Sequence, residues 1–76
     1  MTDEKGIREL IDWARKDPGR RNFEVDYYTT GQSGEFWVRL CSLRRGGWGP
    51  VHAGETLLSA AGEAIKAYGK KEWPND

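Results

Sequence analysis

The sequence predicts an α+β domain of order α-β-β-β-α: a three-stranded antiparallel sheet with two helices packed on one face. Three observations predict it. Residues 4–16 carry apolar side chains at helical spacing, residues 22–53 hold three alternating segments separated by two glycine-bounded turns, and residues 57–68 return to helical spacing. Only one face of the sheet reads as apolar. Both helices therefore belong on that face, and the other is left for solvent or a partner.

Residues 4–16 place Ile7, Leu10, Ile11 and Ala14 at i, i+3, i+4 and i+7, one stripe of a helix with Trp13 on its edge. Thr2 or Asp3 suits the cap, and Asp3 and Glu4 suit the positive end of the helix dipole. Gly6 falls in the first turn, where its cost is small. Pro18-Gly19 ends the helix.

Phe23, Val25, Tyr27 and Thr29 then alternate with Glu24, Asp26, Tyr28 and Thr30. After Gly31-Gln32-Ser33-Gly34, Phe36, Val38 and Leu40 alternate with Trp37, Arg39 and Cys41. A four-residue turn pairing Thr30 with Glu35 sets Tyr27 beside Val38 and Val25 beside Leu40, with Tyr28 opposite Trp37 and Asp26 opposite Arg39. Arg44-Arg45-Gly46-Gly47 makes the second turn. Pairing Leu43 with Trp48 puts Val51 and Ala53 on the core side and Trp48 and His52 on the outer side. Pro50 lacks a ladder donor, which makes this strand an edge and the second strand central.

Thr56 suits the cap of the last helix, whose expected stripe is Leu57, Leu58, Ala61, Ala64, Ile65 and Tyr68. Gly62 in its interior implies a close approach to another element, and Gly69 suits the residue just past its end. Residues 70–76, with Trp73 and Pro74, read as a polar, flexible tail.

Composition narrows the function classes. The 76 residues suit a single small domain, 1–76. One cysteine excludes an internal disulfide and fits a reducing, cytoplasmic setting. No apolar run is long enough for a membrane span, so no membrane partner is expected. Twelve basic and twelve acidic residues balance, unlike the basic excess of a generic nucleic-acid binder. Four tryptophans are too many for a small core to bury fully, which puts one or two at the surface or an interface.

The α-β-β-β-α order is similar to that of the double-stranded RNA-binding domain. That family opens its second helix with lysines that grip phosphates; here the equivalent stretch is Glu55-Thr56-Leu57-Leu58-Ser59-Ala60. Gly49-Pro50-Val51-His52 matches the letters of the family's Gly-Pro-x-His element but falls in the third strand. The resemblance implies the fold. A shorter one joins Gly54-Glu55-Thr56-Leu57 and Ala64-Ile65-Lys66-Ala67-Tyr68 to the strand-to-helix passage of HicB-type antitoxins, which implies toxin binding.

Three sets of residues are candidate sites. Asp26, Tyr28, Trp37, Arg39, Trp48 and His52 form an outer face that fits a protein partner, or stacking of unpaired bases, or cross-strand stiffening alone. Arg20, Arg21, Arg44 and Arg45 converge at one end of the sheet, as a phosphate site or as solvated turn residues. His52 stands without a second histidine or a cysteine cluster, so neither a metal nor another cofactor is expected. No nucleophile or orienting carboxylate accompanies it, so no enzyme is expected.

The leading expectation is a small non-enzymatic protein that binds another protein, comparable in size and class to phage or mobile-element accessory and inhibitor proteins. A nucleic-acid-binding module is the alternative, and a HicB-like regulator the third. A homodimer through the first strand, the other sheet edge, is a further expectation.

Overall fold

The structure, a computed structural model, describes residues 2–70. Its order is α1 (Thr2–Arg15), β1 (Arg21–Thr30), β2 (Ser33–Ser42), a 3-10 turn (Leu43–Arg45), β3 (Gly47–Gly54) and α2 (Leu57–Gly69). The strands form one antiparallel sheet in the order β1-β2-β3. α2 packs on β2 and β3, while α1 packs on α2 and β1, so the predicted fold class is the observed one. The expected tail, with Trp73 and Pro74, lies outside the described residues beyond Lys70.

The first hairpin is tighter than the alternation implied. Only Gly31 and Gln32 link the strands, and Thr30 pairs with Ser33. Gly31 has φ +62°, the left-handed conformation a two-residue hairpin needs at its first central position. The register therefore moves by two residues: Tyr27 faces Phe36, Val25 faces Val38 and Phe23 faces Leu40. A shift of two preserves side-chain parity, so every β1 and β2 residue keeps the face assigned to it.

β3 does not keep parity. Cys41 pairs with Trp48, but Arg39 pairs with Val51, so Gly49 and Pro50 together lie opposite Leu40. This bulge absorbs a proline that has no N–H for the ladder. Beyond it the faces are exchanged. His52 pairs with Val38 on the helix side, whereas Val51 and Ala53 pair with Arg39 and Trp37 on the open side. The expected core positions Val51 and Ala53 are exposed, and the expected outer residue His52 is half-buried.

Leu10, Trp13, Val38, Leu40, Leu57, Ala60, Ala61 and Ala64 form the core. On α1 the buried line runs Gly6, Leu10, Trp13 rather than through Ile7 and Ile11. Gly6 sets that rotation: a Cβ there would lie 2.8 Å from the Leu57 carbonyl carbon, so α1 and α2 meet backbone to backbone. Gly62, expected to mark the close approach, faces open space: a Cβ at that position would meet nothing within 4 Å. α2 starts as expected, with Thr56 Oγ1 accepting from the Ser59 amide at 3.1 Å. It runs through Gly69 and ends at Lys70, whose amide donates to the Lys66 carbonyl, so Gly69 is not a left-handed cap.

Candidate functional site

The sheet face away from the helices is built by alternate residues of three strands. β1 contributes Asn22, Glu24, Asp26 and Tyr28; β2 contributes Glu35, Trp37, Arg39 and Cys41; β3 contributes Trp48, Val51 and Ala53. Five of the six residues expected there, Asp26, Tyr28, Trp37, Arg39 and Trp48, come together on it. His52 does not. Val51 joins it instead, a residue the sequence pattern assigned to the core.

Two aromatic platforms occupy this face. Near the hairpin, the rings of Tyr28 and Trp37 lie 4.6 Å apart at 48°. They meet diagonally, since Trp37 is directly opposite Asp26 and Tyr28 opposite Glu35. The Trp37 Nε1–H donates to Glu35 Oε1 at 2.6 Å, which fixes the indole's orientation. Toward the other end, the Arg39 guanidinium lies 4.7 Å from the Trp48 ring centroid and donates to Glu24 Oε2 at 2.9 Å. The hydrogen bond from Arg39 holds the Glu24 carboxyl below the ordinary glutamate value, against the opposing effect of desolvation. Despite these contacts the apolar groups stay open: Tyr28 is 47% exposed, Trp37 37%, Trp48 42% and Val51 47%.

The arginine pairs do converge at the opposite end of the sheet, but three of the four are held by the fold. Arg21 donates to the Trp13 carbonyl at 2.8 Å and to Tyr68 Oη at 3.3 Å, and its guanidinium packs against both rings. Arg44 donates to Asp17 Oδ2 at 2.6 Å, and Arg45 to the Tyr68 carbonyl at 2.6 Å. Arg20 is exposed, and its backbone carbonyl accepts from the Leu43 amide. Burial alone would raise the Tyr68 hydroxyl. Hydrogen bonds from Ser42 and Arg21, with the charges of Arg21 and Arg45, outweigh it and leave the group below the ordinary phenol value.

His52 sits on the helix side with Nε2 buried and without a hydrogen-bond partner among the described residues. Among those residues no three His, Cys, Asp or Glu side chains gather to hold a metal, and no helix is long and apolar enough to cross a membrane. Cys41 points to the open side as its parity requires, but it is buried, with Asn22 and Trp48 as its cross-strand partners.

No protein-family model, no curated protein and no solved structure matches this chain.

Proposed function

We propose that this chain is a small binding protein that docks its open sheet face on a partner protein. The observation that carries this reading is the open aromatic patch, in which Tyr28, Trp37, Trp48 and Val51 are each more than a third exposed on one continuous face. Cross-strand stiffening alone needs ring contact but not this exposure. Exposed tryptophan and tyrosine with an arginine is the composition of an interface centre. The rings are also held in place, Trp37 by Glu35 and Tyr28, and Trp48 by the Glu24-bound Arg39, which lowers the ordering cost of docking.

Other observations support a nucleic acid less well. Arg21, Arg44 and Arg45 are engaged within the chain, and Glu55 and Thr56 stand where the double-stranded RNA-binding domain carries its lysines. A HicB-like or inhibitor role would be one form of the same docking.

Affinity capture from host cells with the native chain and with Trp37→Ala/Trp48→Ala tests the proposal. The expected result is a partner protein retained by the native chain and lost by a folded double variant. The same partner on both, or a double variant that fails to fold, would return the rings to a structural role.

A further inference from the structure

The charge around the aromatic patch suggests what kind of partner surface fits it. Arg39 is the one cation among the described residues of the open face, against three carboxylates, Glu24, Asp26 and Glu35. Arg39 is already matched, at 2.9 Å from Glu24 and stacked over Trp48. Asp26 follows Glu24 by two residues on the same face of β1, so two carboxylates neighbour each other there, and the guanidinium is bonded to Glu24. Glu35 accepts from the Trp37 indole but meets no cation among the described residues. The Tyr28–Trp37 platform thus lies between Asp26 and Glu35, its two direct cross-strand neighbours.

Resting on the docking reading above, we infer that the open face receives a basic protein segment, with an arginine or lysine seated over the Tyr28–Trp37 rings between Asp26 and Glu35. A cation there gains from the ring faces and from both carboxylates together. The neighbouring Trp48 and Val51 then cover the apolar stem or adjacent side chains of the same segment. A polyanion meets the opposite situation: its phosphates approach a face with a carboxylate excess, and base stacking on Tyr28 and Trp37 brings the backbone beside Asp26 and Glu35.

The test uses the full chain, labelled with nitrogen-15, and follows the indole N–H resonances of Trp37 and Trp48. The probes are an alternating arginine–threonine pentapeptide, its glutamate–threonine counterpart and an oligothymidylate. The arginine peptide should shift the Trp37 resonance saturably, with an affinity that falls as salt is added. Asp26→Asn/Glu35→Gln, with its melting transition confirmed, should weaken that affinity roughly three- to tenfold. A Trp37 resonance indifferent to the arginine peptide, or moved as much by either anionic probe, overturns the inference, as does an unchanged affinity in the double carboxylate variant. If it is overturned while Trp37→Ala/Trp48→Ala still loses its captured partner, the face binds a partner of another charge and only this inference falls. If capture also survives in that variant, the docking reading falls with it.

Discussion

The Arg45 guanidinium lies 3.7 Å from the ring centroid of Tyr68 and donates at 2.6 Å to the Tyr68 backbone carbonyl. One side chain from the second turn thereby covers the ring and brings a charged donor to a carbonyl in the last turn of α2. Arg21 closes on the same ring from 4.8 Å, and the Trp13 ring meets it edge-on at 5.1 Å. Tyr68 is therefore the point at which α1, β1, the second turn and α2 are joined.

Arg45→Ala should destabilise the fold by about 1–2 kcal/mol, from the lost ring contact and the hydrogen bond to the helix end. Urea unfolding midpoints measure this. Tyr68→Phe should cost about 1 kcal/mol through the Ser42 and Arg21 bonds. In an absorbance titration it should also remove the phenol that ionises below the ordinary value.

Two glycines in helices should respond with opposite signs. Gly6→Ala drives a methyl into the Leu57 backbone at 2.8 Å, and the strain should cost roughly 1–3 kcal/mol despite alanine's better helix propensity. Gly62→Ala meets nothing within 4 Å and should stabilise α2 by about 0.5–1 kcal/mol. Thermal melts of the two variants decide both signs.

The tryptophans should divide by burial. Trp13 is 4% exposed, and Trp13→Ala should cost about 3–5 kcal/mol. Trp37→Ala and Trp48→Ala each remove a half-open ring and should cost about 1–2 kcal/mol, leaving a cooperative transition. Denaturant titrations of the three single variants compare them directly.

Acid should weaken the fold in a defined window. The hydrogen bond from Arg44 holds the Asp17 carboxyl below its ordinary value, and that from Arg39 does the same for Glu24. An acid lowered in the folded state stabilises above its unfolded value near pH 4 and loses that contribution as pH falls through the folded one. Stability should therefore decline below about pH 4, and Asp17→Asn should flatten that decline. Unfolding midpoints measured from neutral to acid pH check it.

Much of this was legible in the sequence, and the misses have physical causes. The faces of β1 and β2 follow from alternation because an error of two residues in the turn leaves parity intact. The faces of β3 beyond Pro50 do not, since one extra residue inverts them; Gly49-Pro50 was the visible signal, as glycine and proline inside a strand mark a bulge. The stripe of α1 was misplaced because an apolar count favours Ile7 and Ile11, whereas the contact is made by the residue with no side chain, Gly6. All five outer residues that remain on the open face precede the bulge, four on β1 and β2 and Trp48 at the start of β3. The arginine turns were correctly placed at one end, but their partners, the Trp13 and Tyr68 carbonyls and Asp17, are distant in sequence and carry no local signal.

The bulge also makes the third strand's tolerance to length change directional. Because Gly49 and Pro50 share one partner, the strand holds a residue in reserve. Removing Gly49 would let Pro50 alone face Leu40 and leave Trp48 and Val51 outward and His52 inward, as they are now. Adding a residue at the same place would also restore alternation and keep both halves on their present faces, but it would slide Val51 from Arg39 to Trp37, a slip of two residues along β2. A shorter β3 therefore keeps the open face with its present cross-strand partners, whereas a longer one keeps the face and exchanges the partners.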